Sequence, residues 1–154
     1  MIRITKATDY GILLLSQFAR RAEQGVMNAK DLAGTTHVPL PMVGKILKML
    51  AHGGLLESHR GARGGYSLSR SPYDIPLTQI ITAIEGPFAL TECGEGPGVC
   101  SLEVNCPLQS SWLRLNEAVW KALNDVTLGD IASPGHWTAT ITGVGSRQAE
   151  KVGR

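Results

Sequence analysis

Aromatic and charged side chains are both scarce in this 154-residue sequence: Phe, Trp and Tyr make up 5% and Asp, Glu, Lys and Arg 18%, against about 25% charge in an average domain. With so few aromatics, Trp112 and Trp120 fit packing roles rather than a base-stacking platform, which needs exposed rings among basic residues. No stretch approaches the roughly 18 to 20 consecutive apolar residues that span a bilayer, and the opening MIRITKATDYGILLLSQ has no signal-peptide cleavage pattern. No membrane association and a cytoplasmic location are therefore expected. A phosphate-binding loop, a Ser-His-acid constellation and paired catalytic acids are also missing, so an enzyme is not expected. Cysteine is confined to Cys93, Cys100 and Cys106, an odd number within a short stretch, which argues against a closed disulfide framework.

What the sequence does have is enough apolar content, 43%, for one core, and 18 glycines, which call for loops and tight turns. The net charge of +2 hides a split: residues 1–75 carry 10 Lys and Arg against 5 Asp and Glu, and residues 76–154 carry 5 against 8. The first half suits a polyanion and the second does not.

Residues 5–24 read as a helix that Thr5 can cap, with Ala7, Gly11, Leu14 and Phe18 on one face and Gly25 as its stop. Asn28 caps a short segment, AKDLAG, and after the turn THVPLP the segment PMVGKILKMLAHGG opens with Pro41 at a first helical position. LLESHRGARGGYSLSR then alternates on either side of a basic, glycine-rich tip, the pattern of a hairpin. Three helices followed by such a hairpin within residues 1–75 have the shape of a winged helix-turn-helix DNA-binding domain. Gly61, Gly64 and Gly65 bend the wing tip, Lys45 and Lys48 lie three apart on the recognition helix, and Arg60, Arg63 and Arg70 decorate the wing. These five cations are the expected DNA-binding residues, chiefly toward phosphates, with Arg60 or Arg63 suited to a narrow minor groove.

Residues 76–106 begin with a short helix, PLTQIITAIE, with Thr78 available near its start as a cap, and continue as a Gly- and Pro-rich segment that holds every cysteine. Residues 107–132 contain the clearest helix, where Leu108, Trp112, Leu115, Val119, Ala122 and Val126 alternate spacings of four and three, a seam expected to dimerise. Thr127 and Asp130 form a capping-box pattern for a last short turn, and residues 133–154 have no sustained period and read as a tail. The expected architecture is mainly α: the winged head, its small β-hairpin and a long dimerisation helix.

The cysteine spacing lacks the close pairs of a structural zinc site. Three thiolates on a Gly- and Pro-rich loop can wrap a larger object such as an iron–sulfur cluster, which needs one further ligand. Composition leaves cluster, zinc and thiol switch all open.

Taken in order, RITKATDYGILLLSQFA, LPMVGKILKMLAHGGLLES, RGARGGYSLSR and the three-cysteine loop before WLRLNEAVWKALNDVTLGDIA resemble the Rrf-two family of winged-helix repressors across residues 2–132. That family includes the IscR and NsrR iron–sulfur sensors, and the TDYG, PMVGKILK and LTEC phrases are most similar to regulators of SUF-type cluster assembly. The resemblance implies a homodimer on a palindromic double-stranded DNA operator, one iron–sulfur cluster per protomer, of two-iron or four-iron type, and promoter occupancy that follows cluster state. Cys93, Cys100 and Cys106 match the family's cluster cysteines. IscR-type relatives have a histidine where this chain has Gln109, a poor ligand. Asp9 matches the position from which NsrR-type relatives use a partner aspartate, which makes it the candidate fourth ligand; a first-turn acid favoured by the helix dipole is the alternative role.

The expectation is a cluster-dependent transcription regulator, a repressor of iron–sulfur assembly genes. The alternatives are a thiol redox switch or nitric-oxide-responsive repressor, and a small metal-binding electron carrier.

Overall fold

The first helix, α1, spans Lys6–Arg20, and Thr5 caps it as the sequence predicts, its hydroxyl accepting from the Thr8 N–H. A computed structural model describes residues 4–21 and 25–133; the expected end of this helix falls partly on residues outside these, and the tail after Ser133 lies wholly outside them. Asn28 caps α2 (Ala29–Thr36) through the Asp31 N–H at 2.9 Å. Three residues, 37–39, then turn the chain into α3 (Leu40–His52), whose first turn contains Pro41 at its second rather than its first position. His37 holds a left-handed conformation at φ 58°, and its N–H closes α2 on the Ala33 carbonyl. Val38 is buried at this corner and fixes the two helices against each other.

The wing follows. β1 (Leu56–His59) and β2 (Gly65–Leu68) pair antiparallel, Leu56 opposite Leu68 and His59 opposite Gly65, which leaves residues 60–64 as the tip. Gly61 at φ 114° bends that tip in a conformation that side-chain-bearing residues rarely adopt. Two 2.8 Å backbone bonds between Met27 and Tyr66 anchor the hairpin to the chain before α2. This is the mainly helical winged helix-turn-helix expected from the sequence.

The core lies under α1, α3 and α4 (Leu77–Glu85), with Leu14, Leu15, Ile46, Leu47, Leu50 and Ile80 all fully buried. Each such side chain contributes about 1.5–3 kcal/mol on leaving water. After α4, a short helical turn α5 (Glu92–Glu95) and a 3₁₀ turn at Glu103–Asn105 precede α6 (Gln109–Asn124), which is shorter than the predicted span. The last helix, α7 (Leu128–Ala132), begins with the predicted capping box between Thr127 and Asp130.

Two elements differ from expectation. Thr78 does not cap α4; it is buried, and its hydroxyl donates to Asn124 Oδ1 at 2.7 Å, joining α4 to α6. α7 folds back onto the winged head: Leu128 is fully buried in the same core as α1, backbone bonds Leu77–Val126 and Leu128–Ile75 of 2.8 Å stitch it down, and Arg20 Nε donates to the Ala132 carbonyl.

The end of α4 is joined to the start of α1. Glu85 Oε1 accepts from the Thr5 N–H at 3.1 Å, from the Thr5 hydroxyl at 3.0 Å and from the Thr8 hydroxyl. Burial would raise this carboxyl, but the bonds from Thr8 and Thr5 outweigh it and hold the group below its ordinary 4.5. A carboxylate lowered on folding stabilises the fold above its unfolded value and loses that contribution as the pH falls through its folded value. Glu85→Gln is therefore expected to lower stability at neutral pH by about 0.5–1 kcal/mol, a modest effect because the group is solvent-screened. The gap between variant and wild type should close in thermal melts as the pH falls through the lowered value of this carboxyl; a gap independent of pH contradicts the assignment.

Candidate functional site

α3 presents Pro41, Lys45, Lys48 and His52 at spacings of four, three and four, an exposed stripe on the helix, with Leu40 and Met42 exposed to either side of it in the first turn. Val43, Ile46, Leu47 and Leu50 are buried on the opposite side. Arg60 and Arg63 are exposed at the wing tip. Between helix and wing lies a groove of about 270 Å³ lined by Lys48, Ala51, His52, Ser58 and Tyr66. The structure thus places Lys45, Lys48, Arg60 and Arg63 on the outside of the two elements that a winged helix uses against a duplex. His52 and Ser58 line the groove beside Lys48. Neither is legible in the sequence, because a lone histidine and a lone serine carry no pattern until helix and strand are side by side.

Arg70 stands apart from the other cations. Its guanidinium donates to the Asp74 carbonyl at 3.1 Å, to the Gly54 carbonyl at 3.4 Å and to Gln79 Oε1, so it braces the base of the wing against the α3–β1 turn and α4. The positive charge remains, but its geometry is that of an internal strut.

Downstream of Glu85, Gly86 at φ 89° turns the chain into the cysteine segment. Phe88 stacks on Trp120 with ring centroids 5.8 Å apart, and the Leu90 N–H donates to Asn116 Oδ1 at 3.0 Å, so the segment's first residues are pinned to α6. Phe88 and Trp120 also line a 440 Å³ cavity with Thr82, Leu113 and Asn116, between α4 and α6. Cys93 lies on α5, 3.0 Å from the Thr91 hydroxyl, Cys100 lies in the following loop, and Cys106 ends the 3₁₀ turn; all three are half-buried free thiols. Glu103 braces the loop, accepting from the Gly98 N–H at 2.5 Å and from Gln109 Nε2 at 3.4 Å.

The donors fit an iron–sulfur cluster in kind: three sulfurs, none in a disulfide. Among the described residues, however, no three His, Cys, Asp or Glu side chains converge into a group able to hold a metal ion. Asp9 is exposed in the first turn of α1, its N–H on the Thr5 carbonyl, and is not brought together with the cysteines within one chain.

On α6 the predicted seam divides. Leu108, just before the helix, together with Trp112, Leu115 and Ala122, is exposed, and Val119 is half-buried. Val126 instead packs against the head core, because the chain has already turned toward α7. An apolar stripe on the solvent side of α6, with Leu115 at 51% exposure, is what a helix awaiting a partner presents. No helix among the described residues is long and apolar enough to cross a membrane.

Fold, basic reading face and thiol-bearing segment together define a winged-helix DNA-binding transcriptional regulator. The profile of the Rrf2 family, described as "Iron-dependent Transcriptional regulator", matches residues 4–134, and the chain belongs to that family. The transcriptional regulator CymR of Bacillus subtilis is 30% identical over 132 residues, covering 86% of this chain and 91% of CymR. IscR of Klebsiella pneumoniae is 26% identical over 132 residues, covering 86% of this chain and 80% of IscR. The solved structure of B. subtilis CymR, described as the global cysteine regulator, superposes with a TM-score of 0.68 at 28% identity, over 87% of this chain and 98% of that one. These relatives are regulators, not enzymes.

Proposed function

We propose that this chain is an iron–sulfur-dependent regulator that binds a double-stranded operator as a homodimer and represses iron–sulfur assembly genes from the cytoplasm. The observation that carries the reading is the placement of the three free thiols. They sit between α4, whose last residue Glu85 holds the start of α1, and α6, whose exposed stripe is the proposed dimer seam. Cys93, Cys100 and Cys106 would hold the cluster, with Asp9 of a second copy as the candidate fourth ligand. A bound cluster supplies a redox-active centre sensitive to oxidants.

The chain's own residues do the rest. Phe88, Leu90 and Asn116 transmit the position of the cysteine segment to α6, Thr78 and Asn124 tie α6 to α4, and Glu85 ties α4 to α1. A change in the segment can shift operator affinity only through a difference between the two states of these contacts. In the operator complex, Lys45, Lys48, Arg60 and Arg63 would meet the duplex, with Arg70 supporting the wing. The expected result for Cys93→Ser is an operator affinity equal to that of cluster-free wild type and at least tenfold different from cluster-loaded wild type, read by fluorescence anisotropy under anaerobic conditions. Equal affinity of all three forms rejects the coupling.

A second reading, a direct thiol switch, is favoured by the three half-buried free thiols, which no group of described residues gathers around a metal. A reversible disulfide in metal-free protein, found by mass spectrometry with a matching change in operator binding, would select it.

A further inference from the structure

α3 carries a glycine in its middle that the fold does not require. A helix-interior glycine is destabilising relative to alanine, and a fold usually retains one for a left-handed backbone or for close packing. Gly44 has neither: its φ is not positive, and a methyl group added there would meet nothing within 4 Å. Gly11 shows the contrast, since a methyl there would run into Ile84 of α4. Gly34 of α2 is also open, but it lies two residues from the helix end at Thr36, where intrahelical bonds are already giving out. Gly44 is half-buried at the border of the exposed stripe of α3, three residues after Pro41 and four before Lys48.

The side chains around it are unusual for a helix that reads DNA. The sequence LPMVGKILKMLAH contains no Asn or Gln, the residues that pair two bonds at once with adenine in the major groove, and no Arg, which leaves lysine as its one long-chain donor toward guanine. Its donors are Lys45, Lys48 and His52, all beyond the first turn. The first turn, the part of a recognition helix that meets base edges, instead holds Leu40 out at 47% exposure and Met42 at 37%. Apolar side chains in the major groove have one natural contact, the C5-methyl of thymine. The occupant of this patch is fixed by the cations around it: Lys45 and Lys48 on the same helix and Arg60 and Arg63 on the wing frame it with positive charge, which matches a duplex.

We infer that Gly44 is the point where α3 lies with its backbone against the base edges, and that Leu40 and Met42 on either side of Pro41 read thymine methyl groups. The inference rests on the proposed DNA-reading function and adds which bases are read and how. It makes an unusual joint statement about one substitution: Gly44→Ala improves the fold and damages recognition.

The test begins by selecting binding sequences from random duplexes with the full-length protein. The selected duplex and a scrambled one are then titrated with wild type, Gly44→Ala and Met42→Ala at fixed salt, by fluorescence anisotropy. Each thymine of the selected duplex is also replaced singly by deoxyuridine, which removes only the methyl group. Gly44→Ala is expected to raise the thermal midpoint by about 3 °C, to bind the selected duplex at least tenfold more weakly, and to bind the scrambled duplex as wild type does. At least one deoxyuridine per half-site is expected to weaken wild type about fivefold, with most of that loss absent in Met42→Ala. A Gly44→Ala protein that binds the selected duplex like wild type, a lowered midpoint, or indifference to every deoxyuridine overturns the inference while leaving a sequence-specific DNA binder. Failure to enrich any sequence overturns both the inference and the DNA-reading function beneath it.

Discussion

Leu115→Asp is expected to convert the proposed dimer to a monomer with an intact fold. Leu115 is 51% exposed on α6 and outside the head core, so a single chain accepts the carboxylate in water with little loss of helix. In a two-fold dimer the same change occurs twice, and each copy forces an unpaired charge into the seam. At roughly 3 kcal/mol per buried unpaired carboxylate, the two copies together should raise the dissociation constant by about ten-thousandfold or more. Light scattering coupled to size exclusion should show the monomer mass, with an unchanged helical circular dichroism spectrum. Operator affinity should collapse with it, because two half-sites can no longer be held together. A dimer of native size would remove α6 from the interface.

The second large effect is in the core. Leu128→Ala is expected to destabilise the winged head itself by about 2–5 kcal/mol, although residue 128 is far in sequence from the DNA-reading elements. Leu128 is fully buried among the residues that also hold α1 and α4, and its own N–H is bonded to the Ile75 carbonyl. The cavity left by the truncation would open beneath α1 and lower the thermal midpoint by about 10 °C. A fall of less than about 2 °C would mean that α7 is only appended to the head.

Much of this arrangement is legible in the sequence, and the reasons differ by element. The caps at Thr5, Asn28 and Thr127 are local, made within three residues by side chains whose preference for those positions is strong. The helices they start, and the hairpin around RGARGG, follow directly. The role of α7 was hidden because five residues have no periodicity, so the capping box announced a helix without saying where it would dock. Thr78 was misread for a related reason: near a helix start it fits a cap, but its partner Asn124 is 46 residues away and only the fold brings them together. Arg70 repeats the lesson, since a cation in a basic wing looks like its neighbours until the acceptors at Gly54, Asp74 and Gln79 are in place.

The candidate site was legible in its composition and less so in its geometry. Three cysteines within an acidic, Gly- and Pro-rich stretch stand out in any reading, and so do the lysines and arginines of the head. Which thiols converge depends on loop backbone that carries only short helical turns, and no spacing rule describes it. The seam on α6 was read at its full length, but its last member, Val126, turns inward because the chain is already bonded to Leu77 there.

The proposed function stands or falls on whether Cys93, Cys100 and Cys106 hold an iron–sulfur cluster. Purifying the protein without oxygen and measuring its visible absorption with iron and acid-labile sulfide per chain decides it. Coloured protein with iron and sulfide in near-equal amounts, both lost in Cys100→Ser, is the expected result. Colourless wild-type protein that also fails to take up iron and sulfide on anaerobic reconstitution would contradict it.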